Sequence, residues 1–304
     1  MLMKKPEDFI FPAPKFSPKM LKYCKEYLIE IPTGRKDEKN NEEKIPCLFK
    51  KYPKSKYLLI SFHCNGMDMI SSFHTMTSIA EIYKMNILVP EYPGYTLYNY
   101  PKNSQKCFEN SVIIYDFVIK NMKNISEKNI YVFGRSLGTG PAIYLASNRN
   151  IGGVFLLSPY TTFAEVAKKH HSIDFYHELT KHLRSIDHID KIKCPLCIFH
   201  GKSDSLIYSS EAEKLFEKCK DNKNKELHLI DDMGHNDIFN FTKKMNKLAK
   251  KFIEAYCPMN EPGNNESELD LDQIYYHNFD KKEDLEINDN IDSDDSDDNY
   301  DDIL

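Results

Sequence analysis

Gly134-Arg135-Ser136-Leu137-Gly138 stands between an apolar run, Asn129 to Phe133, and a segment of helical spacing that reaches about Ser147. A serine hydroxyl serves as a nucleophile when a sharp strand-to-helix turn lifts it above the sheet, and small residues such as Gly134 and Gly138 let that turn close. The helix N-terminus behind it favours the negative charge that develops when the hydroxyl attacks a carbonyl. An ordinary turn with a capping serine is the bland alternative. The hydroxyl also needs a base, and the base an orienting carboxylate.

Two later loops supply those partners. Asp204 follows the apolar run CPLCIFH in Gly201-Lys202-Ser203-Asp204, and His235 follows ELHLI in Asp231-Asp232-Met233-Gly234-His235. Both loops leave the carboxyl ends of strands, where sites in parallel sheets lie, and the order serine, acid, histidine fits. Asp232 is a rival acid, while the pair His170-His171 sits in a polar stretch and reads as solvated. The oxyanion needs two backbone donors: the N–H of Leu137, after the nucleophile, and the N–H of Asn65 in the loop His63-Cys64-Asn65-Gly66. Asn236-Asp237 are expected to cap the last helix. This chemistry calls for no metal and no cofactor.

The elements that must position these residues alternate. Apolar runs at 57–63, 87–90, 129–134, 153–157, 196–200 and 226–230 predict strands buried on both faces. Helical spacing near 69–84, 103–121, up to 147, and 238–256 predicts crossovers between parallel strands. The fold class is α/β, a doubly wound, mostly parallel sheet. Two earlier runs, 26–31 and 45–49, are separated by the polar GRKDEKNNEEK and predict an antiparallel hairpin. Only 30 residues, 164–193, separate two late elements, which leaves room for one connecting helix and a minimal cap over an open site.

The 304 residues carry a formal net charge of −5 that hides an asymmetry: residues 261–304 hold 17 acidic and two basic side chains, leaving 1–260 at +10. The reading is an N-terminal extension over 1–20, a catalytic domain over 21–258 and a disordered acidic tail over 259–304. The tail is expected to bind a basic partner or the domain's own surface. The basic body is suited to peripheral contact with anionic membranes, and nucleic acid is excluded as a partner for want of any recognition motif. No run reaches the ~18 apolar residues of a membrane-spanning helix, and the start is not a signal peptide, so a cytoplasmic location is expected. The eight cysteines are scattered and read as free thiols, and Cys194-Pro195-Leu196-Cys197 opens a buried strand rather than a redox turn.

The segments FHCNGMDM, PEYPGY, NIYVFGRSLGTGPAIYLAS, LLSPYTTF, CPLCIFHGKSDSLI and DDMGHNDI together resemble the α/β-hydrolase superfamily, and within it the group of α/β-hydrolase-domain-containing protein 17. The resemblance spans about 57–238. It implies an α/β-hydrolase fold with Ser136 as nucleophile, Asp204 as acid, His235 as base, and oxyanion donors at Leu137 and Asn65. It further implies removal of long acyl chains, of the palmitoyl-protein type, from an acylated protein or lipid substrate. Lipid esterase, lysophospholipase or serine peptidase activity on the same triad is the alternative within the class. A non-catalytic interaction protein of this fold is the alternative outside it.

Overall fold

A computed structural model of the chain describes residues 6–15, 18–123, 125–170, 176–257 and 275–276. Leu28–Lys36 (β1) and Glu42–Lys50 (β2) form an antiparallel hairpin with Leu28 opposite Leu48. There follow Leu58–Phe62 (β3), Asn86–Pro90 (β4), Ile130–Arg135 (β5), Gly153–Leu157 (β6), Leu196–Gly201 (β7) and Lys225–Ile230 (β8). Tyr275–Tyr276 (β9) pairs with the outer edge of β1. The sheet order is β8-β7-β6-β5-β3-β4-β2-β1-β9. β3 to β8 are parallel, and β2 joins β4 antiparallel.

Helices cover both faces, as right-handed crossovers require. They are Pro6–Ile10 (α1), Pro18–Cys24 (α2), Met69–Ile82 (α3), Ser104–Asn121 (α4), Thr139–Asn148 (α5), Phe163–His170 (α6), Tyr176–Leu179 (α7), Ser209–Lys218 (α8) and Thr242–Tyr256 (α9). Local chemistry starts the crossovers. The Asp68 side chain accepts the Ser71 amide at 2.8 Å to begin α3, and Asn103 accepts the Lys106 amide at 2.8 Å to begin α4. Apolar residues of α4, α5 and α8 pack with Ile60, Val132 and Leu156 on one face. Those of α3 and α9 pack with Leu59, Tyr131 and Leu157 on the other. Among the described residues no helix is long and apolar enough to cross a membrane.

Four features add to or alter the expectations. First, the strands of the hairpin run on through most of the polar stretch between 34 and 44. The Asp37 side chain accepts the amides of Lys39 and Asn41 at 2.9 and 2.8 Å, and Asn40 takes φ +65, so five residues suffice for the turn. Exposed strand residues are polar there and read like a loop. Second, within the expected N-terminal extension over 1–20, the described residues contribute to the core. Ile10 and Phe11 are fully buried, and Phe11 meets the Tyr95 ring edge-on at 6.4 Å. Third, Tyr275–Tyr276 extend the sheet. The rest of the stretch expected to be disordered, 259–304, lies outside the described residues. Fourth, in the cap region two short helices, α6 and α7, stand where one was expected, with 171–175 outside the described residues. The thiols are free, and burial pushes Cys194 up to about 12.

The hairpin is tied to the body by a buried charge. Glu43, 1% exposed, accepts from Arg35 Nε at 2.9 Å, Lys106 Nζ at 2.9 Å and the Tyr98 hydroxyl at 2.8 Å. Burial alone would raise its carboxyl, but these donors outweigh burial and hold it below the usual range. Glu43→Gln should therefore cost about 2 kcal/mol at pH 7, read as a lower urea midpoint. Because the folded carboxyl titrates below the unfolded one, the deficit should be complete above about pH 4.3. It should close as acid protonates Glu43 in the wild type.

Candidate active site

β5 ends at Arg135, and the chain turns back at Ser136 with φ +50, a conformation that costs a non-glycine residue of order 1–3 kcal/mol. One 3-10 turn, Ser136–Gly138, leads into α5. Neighbours enforce the turn. A β-carbon at Gly134 would strike the Gly138 carbonyl, and one at Gly138 would strike the Phe62 carbonyl at the end of β3. Thr139 Oγ1 donates to the Ser136 carbonyl at 2.7 Å, and the Tyr160 hydroxyl donates to the Leu137 carbonyl at 3.2 Å.

Asp204 and His235 arrive on the loops after β7 and β8. These loops are laced together: the Lys202 amide donates to the Ile230 carbonyl at 2.9 Å, and the Ser203 amide to the Met233 carbonyl at 3.0 Å. His235 Nδ1 lies 2.8 Å from Asp204 Oδ2, and its Nε2 lies 3.2 Å from Ser136 Oγ. The carboxylate only accepts, so Nδ1 carries the proton and Nε2 is left to accept from the serine hydroxyl. Asp204 Oδ1 takes the amides of Leu206 and Ile207 at 3.0 and 2.8 Å. Burial pushes the Asp204 carboxyl up, but His200, His235 and the Ile207 amide overcome it and hold it well below the usual carboxylate range. The side chain is therefore ionised at neutral pH. Asp232 sits exposed at a turn with φ +62, and the imidazole bonds Asp204 instead.

The loop carrying Asn65 has its own scaffold. Phe62 pairs with Gly134 in register, so this loop abuts the serine turn. The Tyr95 hydroxyl donates to the Asn65 side-chain oxygen at 2.8 Å, and the Tyr92 hydroxyl to the His63 carbonyl at 2.7 Å. His63 Nε2 lies 2.9 Å from Glu91 Oε1, both side chains fully buried. Glu91 also accepts the amides of Tyr92 and Met69 at 2.9 and 3.1 Å. Sequence reading passed over Glu91, although an acid at the exit of an all-buried strand was its visible mark.

Arg135 and His200 were also passed over. Arg135 Nη2 donates to the His235 carbonyl at 3.1 Å and lies 3.5 Å from the Asn236 side-chain oxygen, clamping the histidine loop to the serine turn. His200 Nε2 donates to the Ile207 carbonyl at 2.8 Å and lies 3.4 Å from Asp204 Oδ2. The expected helix cap is corrected: Asp237 accepts the Gly234 amide at 2.7 Å, and α9 begins five residues later without a side-chain cap. Asp237 thus shapes the histidine loop. Among the described residues no group of three or more His, Cys, Asp or Glu is placed to hold a metal ion.

Asp204→Asn would present an amide to Nδ1, favour the other imidazole tautomer and remove the acceptor from Ser136. The expected result is a loss of about 10³–10⁴ in the rate of fluorophosphonate labelling. A loss of less than about tenfold would show that Asp204 does not orient His235.

No protein-family model matches the chain. It is 35% identical over 189 residues to an α/β hydrolase of Acanthamoeba polyphaga mimivirus, covering 60% of this chain and 68% of that one. It is 29% identical over 217 residues to α/β-hydrolase domain-containing protein 17B of Homo sapiens, covering 69% and 71%. Among solved structures, an esterase from Pyrococcus furiosus superposes with a TM-score of 0.62 at 20% identity, over 81% of this chain and 97% of that one. A monoacylglycerol lipase from Paleococcus ferrophilus gives 0.54 at 15% identity, over 69% and 98%. Sheet order, serine turn and these likenesses agree: the chain belongs to the α/β-hydrolase family.

Proposed function

We propose that the protein is a serine hydrolase that cleaves long-chain acyl thioesters or esters, of the palmitoyl-protein type, through an acyl-enzyme. The observation that carries this reading is the hydrogen-bonded chain from Asp204 through His235 to Ser136 at the carboxyl ends of the parallel strands. The likeness to α/β-hydrolase domain-containing protein 17B supports it.

In this reading Ser136 Oγ attacks the acyl carbonyl carbon while His235 Nε2 takes its proton. The oxyanion is received by the N–H groups of Leu137 and Asn65, and the Asp204 carboxylate stabilises the imidazolium. Collapse breaks the bond to the carrier, and the imidazolium gives its proton to the departing sulfur or oxygen. A water then attacks the acyl-enzyme with His235 again as base, releasing the fatty acid and restoring Ser136.

The test is labelling by a fluorophosphonate probe, followed by competition. Wild type should label, Ser136→Ala should not, and a palmitoyl thioester should slow labelling more than a butyryl one. Absence of labelling in folded wild type would falsify the enzyme reading. Equal competition by the two thioesters would leave a short-chain esterase instead.

A further inference from the structure

Between α3 and α9, on the sheet face below the serine turn, lies a cavity of about 480 Å³, within the ~300–1,000 Å³ of ligand sites. Its floor is the sheet itself: Leu59, Tyr131, Phe133, Phe155, Leu157 and Phe199. One wall is α3, through Met76, Ile79 and Ile82, and the other is α9, through Met245, Ala249 and Ile253. Most of this lining is aliphatic or aromatic.

The cavity has a direction. Parallel strands place Leu59 and Tyr131 at its far end and Phe62 and Arg135 at its near end, so it runs about 13 Å along β5. Three loops of the candidate site form the near end: Cys64 and Met67 from the loop after β3, Arg135 from the serine turn, and Ile238 and Phe239 after His235. Beside the buried His63, the polar group there is Arg135. It is 9% exposed, its Nη1 lies 3.9 Å from Met67 Sδ, and its Nε is buried with no hydrogen-bond partner among the described residues. A buried donor left unmatched at this mouth points to a ligand with a polar end placed there, while His74, Thr75, Ser78 and Asn246 add scattered polar groups along the α3 and α9 walls. Phe239 at the near end and Ile82 at the far end are 56% and 61% exposed, giving the opening apolar lips.

We propose that this cavity receives the long acyl chain of the substrate, with its carbonyl end at Ser136 and its methyl end between α3 and α9. The inference rests on the reading of Ser136 as the nucleophile. It adds that α9 acts as a ruler of chain length. Each methylene removed from water is worth roughly fourfold in binding, so a longer chain gains until it meets the end of the cavity. Met245, Ala249 and Ile253 sit at successive turns of α9, about 6 Å apart and progressively farther from the serine.

The experiment compares Met245→Trp, Ala249→Trp and Ile253→Trp in the full chain, measuring kcat/KM on butyryl, octanoyl, lauroyl and palmitoyl thioesters. Each indole should cap the chain at its own depth. The ratio of palmitoyl to butyryl kcat/KM should fall at least about tenfold for Met245→Trp, and the preferred length should increase in the order Met245, Ala249, Ile253. General destabilisation would not produce an ordered series. A second arm measures binding of a fluorescent long-chain fatty acid to Ser136→Ala, with and without Ala249→Trp. Tight binding weakened about tenfold by the indole is the result expected. Identical chain-length profiles in all three folded variants, or probe binding indifferent to Ala249→Trp, would overturn the proposal. Wild type inactive on the whole series, with the probe still bound and displaced by the indole, would instead reject the hydrolase reading and leave the cavity as a fatty-acyl site.

Discussion

Everything in this protein depends on a backbone that cannot relax. Ser136 occupies a left-handed conformation that a free serine would leave at once, and it stays because α5 starts hard against β3. The contact is atomic: the Gly138 α-carbon faces the Phe62 carbonyl with no room for a side chain, and Gly134 faces Gly138 in the same way. The central position of β5, between β3 and β6, is what permits this pressure from both sides.

From that fixed point the site is assembled by loops that brace one another. Asp204 spends one oxygen on two backbone amides, which fixes its carboxylate, and offers the other to His235. Arg135 grips the histidine loop from below, and Asp237 closes it. The oxyanion side is held through Tyr92, Tyr95 and the His63–Glu91 pair, and behind these rings stands Phe11, from the first described segment of the chain. A residue near the N-terminus thereby steadies a loop at the reaction centre.

The strands were legible because runs such as Leu58–Phe62 and Ile130–Phe133 are apolar on both faces, and a sheet covered on both sides demands that pattern. Ser136, Asp204 and His235 were legible because parallel strands deliver their carboxyl ends to one rim. What was hidden depends on geometry rather than composition. Lys36 and Glu42 look like loop residues until Asp37 folds a short turn between them. Arg135 looks like a filler between two glycines until its guanidinium reaches the His235 carbonyl. The apolar faces of α3 and α9 are plain in the sequence, but the gap between them is a matter of helix placement that no periodicity records.

The eight cysteines acquire a chemical meaning in this setting. Burial pushes up seven of them (Cys24, Cys47, Cys107, Cys194, Cys197, Cys219 and Cys257), so at neutral pH they remain protonated. Only a thiolate attacks a disulfide or captures an electrophile. Under the proposed thioesterase activity, reactive thiolates would expose the protein to mixed disulfides with released thiols and to acyl transfer onto its own sulfur. Packing Cys47, Cys107, Cys197, Cys219 and Cys257 away from water insulates those positions from both reactions.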